Sequence, residues 1–344
     1  MHVILDFDGT ITVHDTIDHL AAFAVEFQEK RKASSSNSDV DWDAQWKEIV
    51  DNYLADHRDH KAAYSPAEDA RTSLDHELEF IRSLHGVDCR SIKRLRDTGL
   101  FANMTPVPEQ RLFEAGQKAA DEGAAKKGGD DKDSVRVRLG FSDFLRETST
   151  TRKWPVSIVS VNWSDAWIQG VLSREDNGGP GTNEGPAIRV FANKVTASGA
   201  IIPNFRRKDA TTAVDEEHEH DDNVPFTSSS DKVEALECAV AEAEAASASG
   251  IDDAVVYMGD STTDLECLVL AGSKRAGGGG IAMANGDGPA TSKLIQTLVR
   301  LGYEVPHVSE SKRFQRPRSE DEGDEPRLAW ARDYEEILAS KVLD

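Results

Sequence analysis

Cysteine is scarce: Cys89, Cys238 and Cys267 are the only three in 344 residues. Their odd number and wide spacing exclude a disulfide framework and a zinc ribbon, and they read as reduced thiols, so a cytoplasmic location is expected. Long apolar runs are missing as well. No segment approaches the roughly 20 apolar residues that cross a bilayer, and the N-terminus has no basic leader followed by an apolar core. Positive charge is also short, with 40 Lys and Arg against 62 Asp and Glu, a formal net charge of −22. A chain without a basic footprint suits neither nucleic acid nor an anionic membrane surface. Much of the acid falls in runs at Asp215 to Asp222 and Ser319 to Glu325. These read as solvated loops, His218 and His220 included.

Against these absences the first ten residues stand out. Val3, Ile4 and Leu5 read as a buried strand, and Gly9 supplies the turn after it. Asp6 and Asp8 therefore lie at the strand's carboxyl end, where open α/β sheets bind ligands. Two acids this close repel each other. A hard cation such as Mg²⁺ relieves the repulsion, because it takes oxygen ligands and bridges carboxylates to a phosphate. On local grounds alone, the same residues also suit a strand-end turn with an Asx hydrogen bond.

Three further segments have the same character. A second strand is predicted within Pro155 to Asn162 and ends at Ser160, where a hydroxyl and the following N–H groups suit phosphate oxygens. Ser228 to Asp231 offers N-cap residues for a helix that opens at Lys232 and carries Val233, Leu236, Ala239 and Val240. A lysine in a first turn opposes the helix dipole, so some other interaction must hold it there. The third apolar strand, Ala254 to Met258, runs into Gly259 and Asp260, with Asp264 following as a helix begins. The spacing of Asp260 and Asp264 is about one helical turn, which aims both acids at one point.

Asp6-Phe7-Asp8-Gly9-Thr10 resembles the first motif of the haloacid dehalogenase superfamily of phosphotransfer enzymes. Ser160, Lys232 and Asp260-Ser261-Thr262-Thr263-Asp264 resemble its other three, in the same order and at strand or helix ends. The pattern is nearest to the phosphoserine-phosphatase-like branch. The resemblance implies an α/β fold: a Rossmann-like doubly wound parallel-sheet core over 1–14 and 139–308, with an inserted α-helical cap of type 1 over 15–138. It implies that Asp6 is the nucleophile of an aspartyl-phosphate and Asp8 the general acid and base. Phosphate would be met by Ser160, Val161 and Lys232. Mg²⁺ would be held by Asp6, Asp8 through its main-chain carbonyl, and Asp260, with Asp264 orienting the metal shell or the lysine. Asp15 lies where the branch carries a substrate-contacting acid, and equally suits an N-cap of the first cap helix. Val161-Asn162-Trp163 depart from the small residues usual after the second motif.

Helices alone are predicted between the first two strands, over 15–28, 42–56, 66–84, 91–100 and 108–125. In the second of these, Trp46, Ile49, Tyr53 and Leu54 mark the apolar face. The polar stretches 32–41, 123–134 and 209–230 read as loops, and 191–195 with 198–202 as two short strands around a glycine turn. Beyond 308 an acidic tail is expected, followed by one amphipathic helix over 328–338 that docks back on the body. The expected function is Mg²⁺-dependent hydrolysis of a small phosphorylated metabolite. A phosphotransferase such as a mutase shares that chemistry, and a true dehalogenase fits the second acid less well. A regulatory or binding protein on the same scaffold would lack a catalytic residue, and none is missing. Nothing in the sequence fixes the oligomeric state.

Overall fold

In the computed structural model, residues 1–33, 40–105, 107–126, 133–173, 188–206, 224–246, 254–273, 278–314 and 325–344 are described. The middles of the expected polar loops fall outside them, at 34–39, 127–132, 207–223 with His218 and His220, and 315–324. In chain order the strands are β1 (His2–Leu5), β2 (Val156–Val159), β3 (Arg189–Phe191), β4 (Asn193–Val195), β5 (Ile201–Pro203), β6 (Val255–Gly259), β7 (Gly279–Met283) and β8 (Leu328–Ala331). Six of them form one sheet in the order β3-β2-β1-β6-β7-β8. Every pairing in it is parallel, from Val3↔Val156 and His2↔Val255 at the centre to Gly280↔Leu328 at one edge. β1, β2, β6 and β7 are buried along their whole length, as a parallel sheet covered on both faces requires. β4 and β5 form a separate antiparallel pair, the two short strands expected around the turn at Gly199.

Between β1 and β2 the chain forms α1 (Ile17–Ala33), α2 (Trp42–Ala63), α3 (Leu74–Ser83), α4 (His85–Thr98), α5 (Pro108–Ala125) and the short α6 (Phe141–Leu145). The core is thus Rossmann-like α/β with a helical insertion after its first strand. α7 (Asp165–Leu172) follows β2, α8 (Ser229–Ala246) precedes β6, and α9 (Leu265–Ser273), α10 (Lys293–Arg300) and α11 (Tyr334–Ser340) complete the chain. Glycines bring α5 against α7: a Cβ built on Gly170 would stand 2.1 Å from the Phe113 carbonyl oxygen, and one on Gly116 would stand 2.4 Å from that of Trp167. A buried ion pair links the insertion to the core, where Glu77 of α3 meets Arg71 at 2.7 Å and Arg300 of α10 at 2.9 Å.

The expected helix over 328–338 is corrected. Leu328–Ala331 is the edge strand β8, paired with β7 from Gly280↔Leu328 to Met283↔Ala331, and only Tyr334–Ser340 is helical. The Asp333 side chain accepts from the Glu336 N–H and starts that helix after the strand has ended. A short apolar run such as Leu328 to Ala331 has no period that separates strand from helix, and its residues happened to continue the spacing of the helix behind it. The C-terminal segment is therefore part of the sheet. Among the described residues, no helix is long and apolar enough to cross a membrane.

Candidate active site

The carboxyl ends of β1, β2 and β6 meet where the strand order switches, and each delivers one polar residue just past its last apolar position. Asp6 follows β1, with its N–H donating to the Met258 carbonyl at 2.9 Å. Ser160 follows β2 and is fully buried, and Asp260 follows β6. Gly9 turns the chain away at φ +70°, and a Cβ there would stand 2.1 Å from Asp260 Oδ2. No other residue fits both the dihedral and the space. Thr10 Oγ1 donates to Asp260 Oδ1 at 3.2 Å, which ties the first motif to the fourth.

Lys232 comes from the first turn of α8, and the interaction that holds it there is a pair of carboxylates. Its fully buried Nζ lies 3.0 Å from Asp6 Oδ2 and 2.6 Å from Asp264 Oδ1. Burial disfavours the ammonium, but Asp264 and Asp6 outweigh it and hold the pKa above the ordinary lysine range. The helix start is secured separately: the Ser228 hydroxyl accepts from the Asp231 N–H, and Asp231 accepts from the Ser228 N–H, a reciprocal cap. Asp264 has both oxygens engaged. Oδ1 accepts from Lys232 and from the Tyr257 hydroxyl at 2.7 Å, and Oδ2 accepts from the N–H and hydroxyl of Ser261 at 3.1 and 3.0 Å.

Asp6, Asp260 and Asp264 each place a carboxylate oxygen within 4.8 Å of the others. Asp6 Oδ1 is buried and has no hydrogen-bond partner. Burial pushes the Asp6 pKa up to about 7, Lys232 opposing and Asp264 reinforcing. Burial and then Asp6 push that of Asp260 well above the carboxylate range. One lysine thus faces three clustered acids, one of which has an orphaned oxygen. That donor set, all oxygen and net negative, fits a hard divalent cation.

The Asp8 side chain stands apart from this cluster in a cradle of its own. Its Oδ1 accepts from the Thr16 N–H at 2.8 Å and the Thr16 hydroxyl at 2.6 Å, and its Oδ2 accepts from Asn162 Nδ2 at 2.8 Å. Trp167 Nε1 in turn donates to the Thr16 hydroxyl at 3.0 Å. Desolvation first and the Asp15 charge next push the Asp8 pKa up to about 8, against Thr16 and Asn162. Ser160 Oγ accepts from the Asn162 N–H at 3.2 Å, so Asn162 links the second motif to Asp8.

Sequence reasoning missed Asn162, Thr16 and Trp167, although the departure at Val161-Asn162-Trp163 was the one local sign. It missed Arg138 too, whose guanidinium donates to the Thr10 carbonyl at 3.1 Å and to that of Gly9. Tyr334 was read only as apolar helix face, yet its hydroxyl donates to the Thr10 carbonyl at 3.2 Å. The Asp15 carboxylate accepts from the Ile17 N–H at 2.7 Å as α1 begins, and Asp15 lines the cavity above Asp6.

No family model matches the chain, and no curated protein matches it. Among solved structures it is similar to a phosphoserine phosphohydrolase-like protein from Francisella tularensis subsp. tularensis, at 13% identity with 98% of each chain covered and a TM-score of 0.43. It is similar to a phosphoserine phosphatase in apo form at 14% identity, covering 98% of this chain and 96% of that one, with a TM-score of 0.43. A phospho-aspartyl intermediate analogue of phosphoserine phosphatase matches at 16% identity, 98% and 96% coverage and a TM-score of 0.42. At such identities the likeness says nothing of substrate or activity.

Proposed function

We propose that the protein is a Mg²⁺-dependent phosphatase of the haloacid dehalogenase superfamily, nearest to its phosphoserine-phosphatase-like branch, acting on a small phosphomonoester. The observation that carries this is the Asp6 carboxylate at the sheet's switch point, with one oxygen paired to Lys232 and the other unpartnered. Asp6, Asp260 and the main-chain carbonyl of Asp8 would hold Mg²⁺, while Asp264, its oxygens already engaged, steadies Lys232. When bound, the cation supplies neutralisation of the phosphoryl charge.

Asp6 attacks phosphorus in line and the bond to the ester oxygen breaks. Asp8 gives its proton to that oxygen, so the alcohol leaves and an aspartyl-phosphate remains on Asp6. Asp8 then takes a proton from water, the water oxygen bonds to phosphorus, and the bond to Asp6 breaks to release phosphate. Ser160, the N–H of Val161 and the Lys232 ammonium meet the phosphoryl oxygens throughout. Thr16 and Asn162 hold Asp8 in position, and its raised pKa favours the protonated form that the first step needs. A silent scaffold would lack a site residue, and Asp6, Asp8, Lys232 and Asp260 are all in place. Asp6→Asn is expected to remove hydrolysis of 4-nitrophenyl phosphate by on the order of 10⁴-fold or more while the protein stays folded by circular dichroism. Mg²⁺-dependent turnover retained in that variant would overturn the assignment.

A further inference from the structure

The cavity above Asp6 has a volume of about 620 Å³, and its insertion end acts on the chemistry just described only through Asp15, whose charge raises the Asp8 pKa. That end is built from the insertion: Trp46, Tyr53 and His57 of α2, Asp88 of α4, and Asp15 and Asp18 where α1 begins, with Trp163 beside them. Among the described residues that line the cavity, Lys232 is the single Lys or Arg. It is committed to Asp6 and Asp264. His57 is disfavoured as a compensating cation, because burial, Lys61 and His60 hold its pKa below the ordinary value. Asp88 accepts a hydrogen bond from the Tyr53 hydroxyl and has no cationic partner among the described residues.

Resting on the phosphatase reading, we infer that the substrate's leaving group carries a positive charge, an amine or quaternary ammonium, and no carboxylate. Asp15, Asp18 and Asp88 bring three acids to the cavity lining with no Lys or Arg of that lining beside them, the His19 imidazole alone opposing the charge of Asp15, so a cation seated there would be met by an excess of negative charge. Trp46, Tyr53 and Trp163 add aromatic faces, which attract a cation through their quadrupoles. Trp46 and Trp163 stand edge to face with centroids 6.1 Å apart. A carboxylate in the same place would meet acids and aromatic rings with no guanidinium or ammonium to pair with, a desolvated anion at full cost. At the other end of the same cavity, the unpartnered, buried Asp6 Oδ1 marks where the phosphoryl end is received. The cavity is thus asymmetric in charge in the manner of a zwitterionic phosphomonoester.

Two phosphonates of similar length, which have no ester bond to hydrolyse, test this on the full chain with Mg²⁺. Titration calorimetry is expected to give 2-aminoethylphosphonate a Kd about ten-fold or more below that of 3-phosphonopropionate. Asp88→Asn and, separately, Trp46→Leu are expected to shrink that ratio by about three-fold or more. Equal affinities, or tighter binding of the carboxylate, overturn the inference. Turnover of 4-nitrophenyl phosphate in the same preparation reports on the phosphatase reading by itself. If it is absent, that reading falls, while the ratio of the two Kd values still decides the charge preference.

Discussion

The two ends of the cavity treat charge in opposite ways. At the sheet end Lys232 is fully buried, and every oxygen of Asp264 and one of Asp6 is bound by a neighbour within about a hydrogen-bond length. At the insertion end Asp15 and Asp18 are exposed, Asp88 is half-buried, and no described Lys or Arg faces any of them. Chemistry needs charges fixed in place before the substrate arrives, so that nothing has to reorganise during the reaction. Recognition needs charge left uncompensated until the ligand supplies its counterpart. One cavity holds both solutions because different elements build its ends.

Removing the ammonium at the sheet end should be the most damaging way to break this contrast. Lys232→Met leaves Asp6 and Asp264 buried without their cation, and loss of one partner of such a cluster costs about 3–5 kcal/mol. Chemical denaturation should show that loss, and hydrolysis of 4-nitrophenyl phosphate should disappear with it. If Lys232→Met proves no more destabilising than a substitution at Asp88, the two ends do not differ as the structure indicates.

A smaller effect is expected from the strut beneath the first motif. Tyr334→Phe deletes the hydroxyl that donates to the Thr10 carbonyl, while Arg138 keeps its bond to the same oxygen at 3.1 Å. The loss should be about 0.5–1.5 kcal/mol, visible as a lower Tm, with a modest fall in turnover. Unchanged Tm and turnover would show that the C-terminal helix does not support the Asp6–Thr10 loop.

The same division governs what could be read from the sequence. Asp6, Ser160 and Asp260 were legible because each ends a short apolar strand, and a residue just past such a strand has one place to be. Lys232 was legible because a lysine opposes the dipole at a helix start and demanded a partner. Asn162 and Tyr334 were not, since their contacts with Asp8 and Thr10 span 154 and 324 residues, and no local pattern encodes a pairing at that separation. Trp46, Ile49, Tyr53 and Leu54 were legible only as the apolar face of α2. All four line the cavity, Ile49 buried and Leu54 57% exposed, and the sequence did not separate that from packing against a core. A helix face against a cavity has the same period as one against a core. β8 was hidden for a related reason, its few apolar residues running in step with α11 behind it.

The subtlest prediction concerns Asp88 and sharpens the contrast from the insertion end. Burial first, with Asp231 adding to it, pushes its pKa from 3.8 up to about 7, against the Tyr53 hydrogen bond. Between those two values the folded chain binds more protons than the unfolded one, so stability must fall as pH rises from about 4 to about 7 and then level off. Asp88→Asn cannot ionise and removes that decline. The variant should therefore gain Tm relative to the parent when both are moved from pH 5 to pH 8, by an amount worth less than about 1 kcal/mol because solvent reaches part of the side chain. Adding 2-aminoethylphosphonate at pH 8 should narrow the gap, since a cation beside the ionised carboxylate restores what desolvation took away. A Tm difference that is the same at both pH values would mean that Asp88 is solvated like any surface acid, and the insertion end would then hold no uncompensated charge for a ligand to meet.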